Sequence, residues 1–355
     1  MARKTVHAEL REGVVYIQDE KKASQIYNKG YFGTPQSGNG LMLSLMEAVY
    51  LQDIGRIQVW KKKRPLKMMY LIRQALSTSP SFDIQYIVYR DMRQRGYIVM
   101  SAPPPFHFRV FPRGGSPKKT PTKMWILAIS ERSMFKTHEL AGLLLTAQKA
   151  RKQFVMGVVD EEGDLTYYAI TNGNPKGRVE PLPEVSCTAV FLTDRAVVFD
   201  ESAAEALHTT HFYGKPVGNG LHLSLTETAY LMETGILHLK NGKSGRSLSL
   251  PSLLRRAKRV QEDFEIRLAV YRDLRNRGLV VKTGFKYGTH FRAYEWEPEC
   301  IHARFLVHAV PDNFKSMWPE ISRAVRLAHG VKKELLIGLV RDSAIEYLKL
   351  KRVRP

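Results

Sequence analysis

Cysteine is nearly absent from this sequence. Its 355 residues include only two cysteines, Cys187 and Cys300. Two thiols build neither a disulfide scaffold nor a cysteine-based zinc site within one chain. A reducing compartment fits this composition, so we expect a cytoplasmic protein.

Long hydrophobic runs are also missing. The apolar run from Leu335 to Val340 is far shorter than the roughly 20 residues that a membrane-spanning helix needs. The first residues, Met1 to Lys4, lack the apolar stretch of a signal peptide. We therefore expect a soluble, intracellular protein with no membrane partner.

Acidic residues are scarce relative to basic ones. Lysine and arginine number 55 against 34 aspartates and glutamates, which gives a net charge of +21 at pH 7. This excess goes beyond what solubility needs and favours a polyanionic partner. The basic residues are spread along the chain rather than gathered on one amphipathic helix, so nucleic acid is favoured over a membrane surface. The apolar share of 44% is typical of a globular protein.

An internal repeat organises the chain. The segment from Gly38 to Leu45 returns 180 residues later from Gly218 to Leu225. Seven of its eight residues are identical, in the shared pattern Gly-Asn-Gly-Leu-x-Leu-Ser-Leu, and only the fifth position differs. A Val-Tyr-Arg-Asp segment at Tyr89 returns at Tyr271, which is 182 residues later. These matches occur in the same order, so we infer a duplication that gives a pseudo-dimer within one chain.

Turn-forming residues mark the boundary between the two copies. The stretch 172–185 is rich in Asn, Gly and Pro, so we place the linker there. Each copy has the pattern of two small α/β lobes, with an amphipathic helix from about Ser44 or Ser224 and a second helix that carries Tyr-Arg-Asp. The sequence therefore predicts a mixed α/β fold of two tandem repeats, with lobes at 1–80 and 81–171 and then at 186–262 and 263–355.

One copy serves as a control for the other, since both share a fold. Tyr294 corresponds to Phe111, and His302 lies where the first copy has no histidine between Pro112 and Met124. Lys333 corresponds to Lys152, so that ammonium is present in both copies. Each of the three residues alone is more typical of packing, a solvated loop or a helix-dipole contact. Together they form a Tyr, His and Lys set that only the second copy keeps.

This set suits one reaction of RNA. RNA is cleaved with its own 2′-hydroxyl as nucleophile when a base, an acid and a cation are supplied, and that reaction needs no metal or cofactor. Histidine can protonate the leaving 5′-oxygen, and lysine can stabilise the charge of the transition state. Tyrosine can take the 2′-proton only if nearby cations lower its pKa; otherwise it orients the hydroxyl.

Three segments, in order, resemble the archaeal tRNA-splicing endonucleases, in the homodimeric form whose subunit contains two fused copies. They are residues 270–278, 282–294 and 326–333. The resemblance implies metal-independent cleavage of precursor tRNA at both intron–exon junctions of a bulge-helix-bulge motif, which leaves 2′,3′-cyclic phosphate and 5′-hydroxyl ends. It also implies that 81–171 is a degenerate nuclease-like lobe and that 263–355 is the catalytic nuclease lobe.

The resemblance also implies roles for particular residues. The family triad falls on Tyr294 as base, His302 as acid and Lys333 as transition-state cation. Two arginines that sandwich a bulged base from the opposite subunit match Arg326 and Arg352. The basic tail allows a shift of register that would place Arg354 or a lysine there instead, or a simple contact with phosphates.

An acidic loop distinguishes the first copy, and the resemblance implies that it docks into a basic pocket on the opposite subunit of a homodimer. A solvated turn is the plainer alternative, and the spacing does not fit an EF-hand calcium loop. The residues concerned are Asp160, Glu161, Glu162 and Asp164.

A second function class stays open at this point. An RNA-binding scaffold, or a structural subunit for a separate nuclease, would share the charge and the repeat. It would have no reason to keep the set of Tyr294, His302 and Lys333. We also expect no metal site, because His208 and His211 have no third candidate ligand nearby.

Overall fold

The computed structural model describes residues 5–180, 182–342 and 344–355. The segment from Met1 to Lys4, on which the expectation about a signal peptide rests, lies outside the described residues. No helix in the described ranges is long and apolar enough to cross a bilayer.

Residues 5–172 form twelve of the described strands and five helices. The strands are β1 (Val6–Arg11), β2 (Val14–Ile17), β3 (Thr34–Pro35), β4 (Leu41–Leu43), β5 (Ile57–Lys61), β6 (Arg64–Pro65), β7 (Val99–Ser101), β8 (Phe108–Val110), β9 (Met124–Ser130), β10 (Met134–Lys136), β11 (Gln153–Val159) and β12 (Leu165–Asn172). The helices are α1 (Glu20–Asn28), α2 (Leu45–Asp53), α3 (Met68–Thr78), α4 (Phe82–Gln94) and α5 (Thr137–Lys149).

Residues 187–353 repeat this order of elements, except that no described strand corresponds to β6. The strands are β13 (Cys187–Phe191), β14 (Arg195–Val198), β15 (Lys215–Val217), β16 (Gly220–Ser224), β17 (Leu237–Asn241), β18 (Val280–Thr283), β19 (Phe291–Tyr294), β20 (Phe305–Pro311), β21 (Lys315–Met317), β22 (Glu334–Arg341) and β23 (Ala344–Val353). The helices are α6 (Glu201–Glu205), α7 (Leu225–Glu233), α8 (Leu250–Val260), α9 (Phe264–Asn276) and α10 (Trp318–Gly330), with a π-helical turn at Ala206–Thr210 and a 3-10 turn at Phe285–Tyr287.

The chain divides into two compact units. One contains the residues up to Ser133 together with Leu143–Ala169 and Val353–Pro355, and the other contains Met134–Gly142 and Ile170–Arg352. The predicted mixed α/β fold with two tandem repeats is confirmed by this repeated order of elements.

The N-terminal lobes of the two repeats share one topology. In the first, β1 pairs with β2 antiparallel and with β5 parallel; in the second, β13 pairs with β14 antiparallel and with β17 parallel. Helices α2 and α7 begin after Ser44 and Ser224, as predicted, and each start has a capping box with Glu47 or Glu227. Each glutamate also accepts a hydrogen bond from the backbone N–H of a preceding glycine.

The Tyr-Arg-Asp motif is architectural in both copies. Asp273 accepts hydrogen bonds from the Arg277 Nε at 2.6 Å and from the Tyr347 hydroxyl at 2.7 Å. The buried Arg275 donates to the carbonyl oxygens of Leu279 and His211. The first copy repeats this network, since Asp91 accepts from Arg95 and Tyr167, and Arg93 donates to the carbonyl oxygens of Val99 and Gly30. The motif therefore stabilises the fold in both copies.

The second copy's C-terminal lobe is a sheet with the strand order β18-β19-β20-β22-β23. Helix α9 covers one face, where Leu268, Val270 and Leu274 pack with strand residues such as Val281 and Phe291. Strand β19 is antiparallel to β20, and β20 is parallel to β22 with Phe305 opposite Glu334. The carboxyl end of β19 therefore meets the amino ends of β20 and β22 at one edge of the sheet.

Candidate active site

The three predicted catalytic residues lie at this one edge. Tyr294 ends β19, His302 lies three residues before β20, and Lys333 immediately precedes β22. Arg304 ties these segments together, because its guanidinium pairs with Glu295 at 2.7 Å and with Glu334 at 3.4 Å. The two carboxylates belong to the neighbours of Tyr294 and Lys333 in the chain, so one cation connects all three segments.

Tyr294 is the most enclosed member of the set. Its side chain is only 7% exposed and packs in a cluster with Val179, Val280 and Ala303. Burial raises the pKa of the Tyr294 phenol, and the Arg292 guanidinium, 5.7 Å from the ring centroid, opposes that rise. The net direction is upward, so the phenol is protonated at neutral pH and suits the orienting role better than that of a resting base.

The linker between the copies contributes to this enclosure. Within the predicted linker 172–185, Gly177 and Val179 donate backbone hydrogen bonds to the carbonyl oxygens of Arg277 and Gly278. A Cβ on Gly177 would lie 2.0 Å from the Gly278 carbonyl oxygen, so only glycine permits this approach. These bonds place Val179 in the cluster around Tyr294.

Lys333 and its counterpart Lys152 have different surroundings. The Lys152 ammonium donates a hydrogen bond to the Thr122 carbonyl oxygen at 2.9 Å. The Lys333 ammonium makes no hydrogen bond or ion pair with any described residue, and it lies 5.6 Å from the centroid of the Tyr287 ring. A cation over an aromatic face is held in position and keeps its donors free. All three donors of the Lys333 ammonium are therefore available to an anionic ligand, whereas Lys152 uses one of its donors within the fold.

His302 is exposed in the loop before β20. Across the described ranges, its ring makes no hydrogen bond or ion pair with another residue. Neighbouring backbone bonds from Cys300 and Ile301 to the Glu297 carbonyl oxygen fold the preceding segment into a turn. The imidazole is thus presented to solvent by an ordered loop.

The two candidate RNA-binding arginines are both exposed. Arg352, near the end of β23, lines a basic cavity of about 290 Å³ together with Lys333. Arg326 lies on α10 and donates to the Ser322 hydroxyl at 2.9 Å. The cavity is also lined by His329, Lys332, Lys349 and Lys351, but Arg326 does not line it.

The acidic loop connects β11 and β12 in the other unit. The Asp160 carboxylate accepts hydrogen bonds from the backbone N–H groups of Glu162 and Asp164 and so shapes the turn. Glu161 and Glu162 are exposed, and Arg132 pairs with Glu161 at 2.7 Å. The loop thus presents carboxylates on an ordered turn.

A larger cavity of about 730 Å³ lies elsewhere in the second copy. Its lining includes Tyr271, Lys282 and Arg292. None of Tyr294, His302 and Lys333 is among the described residues that line it. The larger of these two cavities is therefore not at the edge of the sheet where the predicted catalytic residues lie.

Sequence reasoning missed two residues of the candidate site, Tyr287 and Arg304. Tyr287 lies in the seven-residue segment between β18 and β19. The corresponding segment of the first copy, between β7 and β8, has six residues and includes three prolines at 103–105. This difference between the copies could have drawn attention to Tyr287 in the sequence. Nothing in the sequence pattern distinguished Arg304 from the many other arginines.

Comparison with known proteins agrees with this architecture. The family model for the tRNA intron endonuclease catalytic C-terminal domain matches residues 82–167 and 264–347, and the model for its N-terminal domain matches 6–71 and 187–254. The chain belongs to the tRNA intron endonuclease family. Both domains of the family thus occur twice in tandem, with a catalytic-type domain in each copy.

Relatives cover nearly the whole chain. A tRNA-splicing endonuclease of Methanococcoides burtonii is 40% identical over 94% of this chain and 96% of that protein. One of Methanosarcina acetivorans is 39% identical over 97% and 98%. One of Hyperthermus butylicus is 42% identical over 179 residues, which are 47% of this chain and 98% of that protein. A family member that corresponds to about half of this chain agrees with the inferred duplication.

Proposed function

We propose that this protein is an endoribonuclease that cleaves precursor tRNA at both intron–exon junctions of a bulge-helix-bulge motif. The observation that carries the proposal is the similarity, over 94% of the chain or more, to proteins named tRNA-splicing endonucleases. The placement of Tyr294, His302 and Lys333 at one sheet edge supports it. A net charge of +21 suits an RNA substrate.

In the proposed reaction the RNA supplies its own nucleophile. The 2′-oxygen at the junction attacks the adjacent phosphorus, so a bond forms from O2′ to phosphorus and the bond from phosphorus to O5′ breaks. The 2′-hydroxyl loses a proton and O5′ gains one. The products carry a 2′,3′-cyclic phosphate and a 5′-hydroxyl, and the reaction needs an acceptor, a donor and a cation but no metal.

The three residues divide these tasks. Tyr294 binds the 2′-hydroxyl; because burial raises its pKa, it first holds that oxygen and accepts the proton only as cations such as Arg292 lower the pKa. His302, on its exposed loop, donates the proton to O5′. Lys333, whose ammonium makes no hydrogen bond or ion pair in the described chain, stabilises the negative charge on the phosphate in the transition state.

The two arginines complete the proposed RNA contacts. Arg326 and Arg352 stack their guanidinium planes on a bulged base that lies at the opposite subunit's active site. Both side chains are exposed and so are accessible to RNA. Guanidinium–base stacking accounts for the choice of arginine at these positions.

A cleavage assay tests the proposal. The purified protein is incubated with an end-labelled bulge-helix-bulge RNA in excess EDTA, and the product ends are mapped. We expect cuts at both bulges with cyclic-phosphate ends. Binding of this RNA without cleavage would instead support the alternative function, an RNA-binding scaffold for a separate nuclease.

The working assembly in this proposal is a homodimer with one active site in each second copy. The acidic loop, Asp160 to Asp164, docks into a basic pocket of the other subunit. Its exposed carboxylates and the strongly basic chain make the contact electrostatically favourable.

Charge reversal in the loop should weaken the dimer. The variant Glu161→Lys/Glu162→Lys leaves Asp160 intact, because the Asp160 carboxylate shapes the turn. Like charges would then face each other across the interface, and we expect the dimer dissociation constant to rise about a hundredfold in sedimentation velocity at moderate salt. The control variant Glu201→Lys/Glu205→Lys makes the same change of charge on the exposed side of α6 and should stay dimeric. Dimerisation as tight as in the wild-type protein would count against the docking loop.

A further inference from the structure

Phe285 has an unusual position for a phenylalanine. Its side chain is 86% exposed, whereas eleven of the chain's 15 phenylalanines are buried. The next most exposed, Phe199, is 59% exposed. A large aromatic ring held this far into solvent buries little apolar surface in the fold and is accessible to a ligand.

The turn that carries Phe285 is well fixed. The N–H of Gly284 donates to the His290 carbonyl oxygen at 3.0 Å, and that of Gly288 donates to the Phe285 carbonyl oxygen at 3.1 Å. The N–H of Phe285 itself donates to the Thr283 hydroxyl at 3.3 Å. An ordered turn presents the ring with little backbone entropy left to lose on binding.

The same turn also reaches the candidate catalytic cation. Tyr287, two residues beyond Phe285, is the residue whose ring lies under the Lys333 ammonium. Lys286, between the two rings, is exposed and adds a second positive charge. The corresponding loop of the first copy, 102–107, also contains a phenylalanine, but Phe106 is buried. Of these two loops, the one in the copy with the candidate triad exposes its phenylalanine ring.

We propose that Phe285 stacks on an unpaired base of the bound RNA, next to the phosphate that Lys333 contacts. Every base has a π-face, so an exposed ring beside cations is a natural platform for a single-stranded nucleotide. A protein partner would favour apolar neighbours, and the exposed residues beside Phe285 are Thr283 and Lys286. The inference extends the proposed function, from which it takes the bulged RNA as the ligand.

Binding of an uncleavable RNA tests this contact. The probe is a bulge-helix-bulge RNA with 2′-deoxy sugars at both junctions and 2-aminopurine in the bulge, whose fluorescence falls when the base stacks. We expect Phe285→Ala to weaken binding about fivefold to a hundredfold and to abolish the quenching. Phe285→Trp should retain both, and Phe285→Leu should behave like Phe285→Ala, because leucine keeps apolar area but has no π-face.

Matched controls isolate the ring's role. Phe199→Ala removes another exposed phenylalanine of the same unit and should leave both signals unchanged, and a fully paired duplex should bind the wild-type protein and Phe285→Ala equally. Wild-type affinity and quenching in Phe285→Ala, or in Phe285→Leu, would overturn the proposal. Dissociation of the dimer in Phe285→Ala would also overturn it, in favour of a protein contact.

The two proposals fail in different ways. If the wild-type protein binds and quenches the bulged RNA but cuts no cleavable version, the proposed function fails and the stacking contact stands. If the wild-type protein cuts and Phe285→Ala binds and quenches like it, the stacking contact fails and the proposed function stands.

Discussion

Replacing His302 by alanine should slow cleavage about 10²–10⁴-fold under single-turnover conditions, while RNA affinity stays within about threefold of the wild-type value. The expected loss is that of a general acid, because an unprotonated O5′ is a poor leaving group. The side chain is exposed and has no protein partner in the described ranges, so its removal should leave the fold intact.

The acid role has a sharper chemical test. An RNA in which sulfur replaces the leaving 5′-oxygen needs no proton donor, since a thiolate leaves unaided. With this substrate, His302→Ala should cleave nearly as fast as the wild-type protein. His238→Ala, at an exposed histidine of β17, is the control and should cleave both RNAs normally. A His302→Ala variant that lost cleavage and binding equally, or that sulfur did not rescue, would contradict the assignment.

Replacing Lys333 by methionine should lower the single-turnover rate about 10²–10³-fold, which is the usual cost of removing one group that stabilises transition-state charge. The Lys333 ammonium makes no hydrogen bond or ion pair with the described protein, so the substitution removes the positive charge and its cation–π contact with the Tyr287 ring. Binding of the uncleaved RNA should change far less than the rate.

The duplication supplies a matched control for this variant. Lys152→Met makes the same change in the first copy, where the ammonium is bonded to the Thr122 carbonyl oxygen. That variant should cleave at the wild-type rate and lose about 1 kcal/mol of stability to urea unfolding. Equal losses of cleavage in the two variants would show that Lys333 has no special role.

The repeat allowed much of the fold to be predicted. Two repeat matches in the same order indicated duplicated α/β lobes, and the helices predicted from about Ser44 and Ser224 are confirmed. The sequence analysis did not identify β1 and β13, the first strand of each copy. The signal for β1 was present, since Glu12 and Gly13, both with positive φ, form a two-residue turn between β1 and β2.

Less of the candidate site than of the fold could be predicted from the sequence. The positions of Tyr294, His302 and Lys333 came from comparing the copies and from the family resemblance, and their roles stay predictions. Strand register brings them to one edge, and register depends on long-range pairing that no local pattern specifies. The different partners of Lys333 and Lys152 depend on side-chain conformations, so two identical residue types looked equivalent in the sequence.

Fusion of the two copies has made the connecting peptide part of the candidate site. Gly177 and Val179 are bonded to the backbone at the end of α9, and Val179 helps to bury the Tyr294 ring. A second copy that began at residue 186 would leave that ring more open to water and its pKa nearer the ordinary value. A split of this chain into two polypeptides must therefore fall before Gly177 if the second polypeptide is to keep the environment of Tyr294.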